Sequence, residues 1–317
     1  MAEAGRAPIR CILVNYRNAD DTLAALASVE PSVRRGAIDI TVVDNESTES
    51  SRACLRQSPV PFTLIVEADN TGFAAAVNRA VSLSAGDTDS EFIWLLNNDC
   101  VADDGAATAL QEVLERDPTC AAASSLVLYS DGTERVWCAD GRLIGPGLIV
   151  RHGGKGRPAR FSKQHDAARV TFVSGCSVMI RRSAWDAVGG FDSSLFLYGE
   201  DVDLSLKLRQ AGHSLRFAPR SRVWHKVSVA SGGEYSLQRE YYLTRNSTHL
   251  VARWSGSSME RVVGLGMRWC WDALRIARAC LRTDVPLTSG WRTLRGAVQD
   301  GLAGRLGRFH DELQEAG

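Results

Sequence analysis

Four short apolar runs in the first hundred residues each close on aspartate or asparagine. They are RCILVNY (10–16), reaching Asn15 and Tyr16; IDITVVDN (38–45), reaching Asp44 and Asn45; FTLIVEADN (62–70), reaching Asp69 and Asn70; and EFIWLLNND (91–99), reaching Asn97, Asn98 and Asp99. Helix-patterned stretches separate or follow them: DDTLAALASV (20–29), TGFAAAVNRAVSLSAG (71–86) and GAATALQEVLERDP (105–118). Near-continuous apolar strands alternating with helices predict an α/β layer with a mostly parallel sheet, because strands covered on both faces need no polar side. Such sheets bind ligands in the crevice at the carboxyl ends of their strands. Turns favour Asp and Asn, yet four successive strands ending that way is more than turn chemistry supplies.

Composition narrows the function classes. Lysine plus arginine and aspartate plus glutamate number 37 each, so the overall charge marks no nucleic-acid partner. The polar start MAEAGRAPIR runs straight into the first strand, and no apolar run is long enough to span a bilayer. The cysteines at 11, 54, 100, 120, 138, 176, 270 and 280 form no CxxC pair and show no metal-like clustering. They predict small reduced thiols and a cytoplasmic setting rather than a disulfide framework.

The second half is less regular. From 130 to 170 the pattern gives way to the basic, Gly-rich GPGLIVRHGGKGRPARFSKQHD, which predicts a mobile connection with a hairpin around Leu148–Arg151. Its Arg151, Lys155, Arg157, Arg160, Lys163 and Arg169 stand against Asp166, a set that is either merely solvated or closes over phosphate. VTFVSGCSVMIRR (170–182) restores a strand, and SAWDAVGG (183–190) a short helix stopped at glycine. In FLYGEDVDLSLKLRQAGHSLRFAP (196–219), Glu200, Asp201 and Asp203 crowd a helix start. Leu204, Leu208 and Ala211 fall on one packed face of that helix, and Gly212 supplies its stop. First-turn acids complement a helix dipole; one of them aimed outward is instead a base. HSLRFAPRSRVWHK adds a short strand and His225, and from about 235 the chain reads as helical.

In order, VNYRNADDTLAALASV, VVDNESTESS, NTGFAAAVNRAV, WLLNNDC, the 173–219 region containing GEDVD, and VWH resemble family 2 glycosyltransferases, in particular the bacterial rhamnosyltransferase-like branch. The resemblance covers roughly 9–250. It implies the GT-A fold, with catalytic domain 1–234 (nucleotide-binding half about 9–130, acceptor half about 170–234) and a helical extension over 235–317. It implies a nucleoside-diphosphate-sugar donor, dTDP-rhamnose or a related deoxysugar first and UDP-sugars next, with Mg²⁺ or Mn²⁺ and inversion at the anomeric carbon. The acceptor it implies is a hydroxyl of a cell-envelope glycan or natural product, free or lipid-linked.

Carried over position by position, Asn15 and Tyr16 match the wall of the base, and Asp44 with Asn45 the acid motif that contacts base or ribose. Asn70 and Gly72 match the turn beside the nucleotide, where a helix N-terminus favours phosphate. Asn78 lies two turns along that helix, with ordinary packing as its alternative. Asn97, Asn98 and Asp99 match the DxD-like motif, Asp99 as the metal ligand joined by His225. Asn97 departs from the commoner carboxylate there and implies a weaker metal site; Cys100 departs too and reads as a buried thiol. Asp201 matches the catalytic base, with Gly175, Trp185, Gly199 and Glu200 on the acceptor side. Arg245 is a weaker pyrophosphate candidate. The helix over 257–285 packs on the catalytic domain or a second subunit, or else lies peripherally on an anionic membrane at its inner face. The rivals to this reading are a nucleotide-sugar-binding protein without turnover and a nucleotidyltransferase on a similar core. For the latter, the glycines of a phosphate loop are missing from NYRNADD.

Overall fold

A computed structural model describes residues 9–83, 90–161, 168–227 and 236–309. Strands β1 (Ile9–Asn15), β2 (Ile38–Asn45), β3 (Thr63–Glu67) and β4 (Phe92–Leu96) lie parallel in the order β3-β2-β1-β4. Helices α1 (Ala19–Arg34), α2 (Glu49–Leu55) and α3 (Phe73–Leu83) make the crossovers; the expected residues 84–86 of α3 lie outside the described residues. Alternation along β1 feeds two cores, Cys11 and Leu13 on one face of the sheet and Ile12 on the other. Asn15 stands opposite Asp44 in the register, which sets the first two strand ends side by side.

The sheet then departs from the mostly parallel expectation and becomes mixed. After β5 (Cys100–Ala102) and α4 (Ala106–Arg116) comes β6 (Cys120–Tyr129), a strand that the sequence pattern does not announce. Its CAAASSLVLY is buried almost throughout, at the middle of the sheet. The chain next makes β7 (Val136–Cys138), the hairpin β8 (Gly141–Ile144) and β9 (Ile149–His152), and β10 (Ala168–Val170). The hairpin falls where it is expected, but most of 130–161 is ordered strand and turn rather than a structureless connection; Lys163 and Asp166 lie outside the described residues.

Strand β11 (Ser177–Arg181) enters antiparallel between β4 and β6 and continues into α5 (Arg182–Val188). Helix α6 (Glu200–Gln210) leads to β12 (Ser214–His225), a twelve-residue strand where a short one was expected. β12 lies parallel to β6 and antiparallel to β5. Leu204 and Leu208 of α6 are buried as expected, whereas Ala211 is exposed because the helix has already ended.

The expected helical extension is α7 (Leu237–Trp254), α8 (Ser258–Thr283) and α9 (Leu287–Ala303). The inner face of helix α8 carries Arg268 and Asp272 as a buried ion pair beside buried Gly264, Ile276, Ala279 and Cys280. Its outer face exposes Met259, Val262, Val263, Met267, Trp271, Leu274 and Leu281, with Leu274 69% accessible.

Candidate active site

Each half of the sheet delivers its strand ends to one crevice. On the parallel side, buried Asn15 donates to Asp44 Oδ1 at 2.8 Å and to Ser47 Oγ at 3.0 Å, while Thr22 donates to Asn15 Oδ1. Asp44 is fully buried; its other oxygen lies 3.5 Å from Arg52 Nη1 and has no hydrogen-bond partner. A buried acceptor left open is costly, so Asp44 Oδ2 suits a ligand's hydroxyl or imide donor. Tyr16 is half-buried at the same edge, with the Arg17 guanidinium over its ring.

Asn45 and Asn70 hold the following turn together. Asn45 donates to Asn70 Oδ1 and Gly72 O, and accepts from Thr71 N and Oγ1. Gly72 has φ +86°, and a Cβ there would sit 2.5 Å from the Phe196 carbonyl oxygen. Its lack of a side chain serves that contact, and Phe73 N, in the first turn of α3, already donates to Phe196 O. The helix start expected to face phosphate therefore meets the chain's own backbone first.

The antiparallel insertion of β11 shapes the end of β4. Ser177 pairs with Leu96, so Cys176 O accepts from Asn97 N at the end of β4. Pairing of β12 with β5 sets His225 opposite Cys100, and Lys226 N donates to Asp99 O. His225 Nε2 consequently lies 3.2 Å from Asp99 Oδ2, both residues more than nine-tenths buried. Asp99 Oδ2 and His225 Nδ1 are buried without hydrogen-bond partners. A carboxylate and an imidazole left open at one spot fit a divalent cation such as Mg²⁺ or Mn²⁺. Asn98 donates to Thr22 Oγ1, which links the motif to α1.

Two thiols complete this cluster, contrary to the expectation that the cysteines do not gather. Cys100 and Cys176 lie 3.4 Å apart, and their sulfurs and a His225 nitrogen all fall within 4.8 Å of one another. The Cys100 hydrogen bond pulls the Cys176 thiol down to about 6 against the effect of burial, with help from His225. Burial opposes a charge on His225, but facing Cys176 and Asp99 outweigh it and push the imidazole up, so a cation held here would displace its proton.

Across the crevice the three carboxylates separate. Asp203 is buried, bound to Lys207 Nζ at 2.8 Å and to Trp254 Nε1 at 3.0 Å, so it fastens α6 to α7. Glu200 is buried with Oε2 unpartnered; burial first and the adjacent Asp201 second raise it to about 8. Asp201 is part-exposed at the helix mouth and accepts from Gly175 N at 3.1 Å and from Val202 N at 2.9 Å. Burial raises it to about 6, and those two backbone donors oppose the rise. Gly175 belongs beside Asp201, since a Cβ there would touch the Asp201 side chain at 3.6 Å. Gly199 has φ +91°, the left-handed turn that starts α6.

Three expected site residues are committed elsewhere. Asn78 spends its amide on Phe191 and Ser193, bracing the loop before α6. Arg245 is buried over Tyr242, donating to Asn246 Oδ1, Gly307 O and Leu195 O, so its guanidinium is engaged by the protein's own oxygens. Trp185 is 4% accessible and packs against Phe191 in the core. Conversely, Thr22, Ser47, Arg52 and Cys176 emerge only from the fold; they lie beside recognised motifs, and no spacing rule distinguishes them.

Comparison with known proteins agrees with this arrangement. The family model described as "Glycosyltransferase like family 2" matches residues 9–255. The N-acetylglucosaminyl-diphospho-decaprenol L-rhamnosyltransferase of Mycobacterium tuberculosis is 29% identical over 240 residues, 70% of this chain and 76% of that protein. Rhamnosyltransferase WbbL of Escherichia coli is 29% identical over 84 residues, 26% of this chain and 32% of its own. Among solved structures, the mannosyltransferase PcManGT from Pyrobaculum calidifontis, in complex with GDP-Man and Mn²⁺, superposes with TM-score 0.58 at 16% identity, covering 99% of this chain and 89% of that one. GalNAc-T7, solved with UDP, GalNAc and Mn²⁺, gives TM-score 0.60 at 18% identity, covering 79% of this chain and 48% of that one.

Proposed function

Because this chain belongs to family 2 of the glycosyltransferases and has the GT-A fold, we propose that it moves rhamnose or a related deoxysugar from a dTDP-linked donor, with UDP-linked donors next, to a hydroxyl of a lipid-linked cell-envelope glycan. The observation that carries the mechanism is Asp201, part-exposed and held by two backbone donors, one of them from Gly175, the neighbour of the Cys176 that clusters with His225. A sugar hydroxyl is a weak nucleophile, and a positioned carboxylate takes its proton as the new bond forms. Asp201 is that base, and attack from its side of the anomeric carbon gives single displacement with inversion. Asp44 and Asn15 hold the nucleoside on the far side. Asp99 and His225 would hold the cation, which when bound neutralises charge on the departing diphosphate.

The outer face of α8 supports a membrane-borne acceptor. Its apolar stripe is flanked by exposed Arg261, Arg278 and Arg282, and Trp291 and Arg292 continue the surface on α9. Apolar area rimmed by arginine is complementary to anionic lipid. On this reading the protein is cytoplasmic and peripheral, residues 1–234 being the catalytic unit and 235–317 the extension that docks it. Among the described residues no helix is long and apolar enough to cross a membrane.

A donor screen tests the reading: nucleoside-diphosphate release is followed for dTDP-, UDP- and GDP-sugars with a polyprenyl-diphosphate-linked sugar acceptor and Mn²⁺. Fastest turnover with dTDP-rhamnose and an inverted product support it. Preference for a GDP-sugar, or retention of configuration, refutes it.

A further inference from the structure

The basic Gly-rich stretch after β7 has no part in the chemistry above, yet it builds a concave site. We propose that this cavity, of about 510 Å³ and lined by Asp140, Arg142, Arg151, His152, Lys155 and Arg157 with Gly153 and Gly154, binds the diphosphate of the acceptor. The inference rests on the acceptor reading given above, and it locates the group by which that acceptor is held.

Charge is the first argument. Among the described residues that line it, Arg142, Arg151, Lys155 and Arg157 stand with one carboxylate, Asp140, which lies 3.7 Å from Arg142 Nε. A neutral sugar needs no such excess of cations, whereas a diphosphate does. Burial first, with Lys155 and Arg239, holds His152 down to about 4, so its ring is a neutral hydrogen-bonding wall. The volume falls within the range of small-molecule sites.

The second argument is that the cavity is preformed. Arg142 and Arg151 are cross-strand partners of the β8–β9 hairpin, so their side chains emerge on one face. Gly153 packs so tightly that a Cβ would lie 1.6 Å from Asp140 Oδ1. Gly154 and Gly156 take φ of 69° and 78°, turns open to glycine at little cost.

Position is the third. On one side the His152 ring lies 5.1 Å from Trp137, whose own ring meets His225 edge-on at 4.8 Å. Gly141 bridges to Phe172, shortly before the Gly175 that donates to Asp201. On another side the hairpin turn packs on α8: a Cβ at Gly147 would lie 3.1 Å from Met267 Cβ, and one at Gly264 would lie 2.6 Å from Pro146 O. The cavity thus adjoins both the catalytic groups and the helix whose outer face is apolar. An acceptor whose diphosphate sits here can direct its sugar to Asp201 and its lipid tail to α8. The donor diphosphate belongs to the separate position beside Asp44 and Asp99.

The test is a double dissociation on the full chain, using farnesyl diphosphate, farnesol, inorganic pyrophosphate and phosphatidylglycerol vesicles as probes of the cavity and UDP and dTDP as probes of the donor site. Arg142→Ala, Arg151→Ala and Lys155→Ala are combined; all three side chains are exposed, so the melting temperature reports an intact fold. Farnesyl diphosphate should bind the triple variant at least about tenfold more weakly than wild type, with nucleotide affinity unchanged. Asp44→Ala should show the opposite pattern. Equal farnesyl diphosphate affinity in the triple variant and wild type overturns the proposal, as does farnesol binding as tightly as its diphosphate. Vesicles that displace farnesyl diphosphate as effectively as pyrophosphate does would reassign the cations to lipid headgroups and overturn it too. Loss of nucleotide binding in the triple variant would make the cavity part of the donor site and overturn the proposal, whereas a wild type that binds no nucleotide would refute the donor reading alone.

Discussion

Asp201 and Glu200 are sequence neighbours with different surroundings, and their difference sets the pH response. Asp201 keeps two backbone donors and an open edge; Glu200 is buried with an unpartnered oxygen. With Asp201 raised to about 6, kcat/KM should climb as pH rises through about 6, read from an initial-rate profile; a flat profile from pH 5 to about 7 would exclude it as the base. Asp201→Asn should slow transfer by roughly 10²–10⁴-fold while nucleoside-diphosphate affinity stays at the wild-type value. A near-wild-type rate would end the mechanism. Glu200, raised to about 8, holds its proton in the folded state where the unfolded chain, near 4.5, has lost it. The folded state therefore binds more protons between those values, and stability falls as pH rises across that window. Thermal melts should show Glu200→Gln gaining on wild type from about pH 4.5 to about 8 and levelling above; a pH-independent difference would contradict the burial assigned to Glu200. That Asp44 and His225 close strands, that Asp99 sits between two strands and that Asp201 opens a helix was legible, because their motifs are ordered and specific. The packing of Asn78 and Arg245 was not, because a polar side chain on a helix looks the same in sequence whether it faces a ligand or the protein's own carbonyls.

Helix α6 shows how elements hold these residues in place. Its entry turn passes through Phe196 and Tyr198, both with positive φ, and is held by buried Asn246 of α7, which donates to the carbonyls of Leu195, Leu197 and Tyr198. Asn246→Ala strands those acceptors and should lower stability by about 1–3 kcal/mol, seen in denaturant titration, and also lower kcat because Asp201 begins the turn that follows. A stable variant with full activity would show the turn to be self-supporting. The parallel strands β1 to β4 could be read from their apolar runs, and the hairpin from its glycines. Strand β6 could not: its Ala and Ser residues have weak strand propensity, and their burial comes from the strands paired on either side. The mixed order also escapes a reading by period, since nothing local states that β11 runs antiparallel. That reversal brings Cys176 to Asn97 and turns cysteines far apart in sequence into neighbours.

For the whole molecule, α8 makes the most accessible forecast. Wild-type protein should sediment with phosphatidylglycerol vesicles and release them in high salt, while Trp271→Ser with Leu274→Ser should remain in the supernatant at unchanged melting temperature. A concentration-dependent dimer that the same pair dissolves, without vesicle binding, would assign the face to a second copy. The sequence left packing on the catalytic domain or a second subunit somewhat ahead of a membrane, because periodicity shows an apolar stripe but not which side of the helix the core takes; buried Arg268 and Asp272 supply that missing fact. One topological detail reaches further. Strands β6 and β11 pair antiparallel, so the end of β6 and the start of β11 lie at the same edge of the sheet. The described residues between them leave that edge and return to it, with β7 and β10 pairing back onto β6 and β12 on the way. Only the β8–β9 hairpin makes a sheet of its own, so on the proposed acceptor reading that hairpin is the part that can be exchanged like a cassette between relatives while strands β1 to β4 stay as they are.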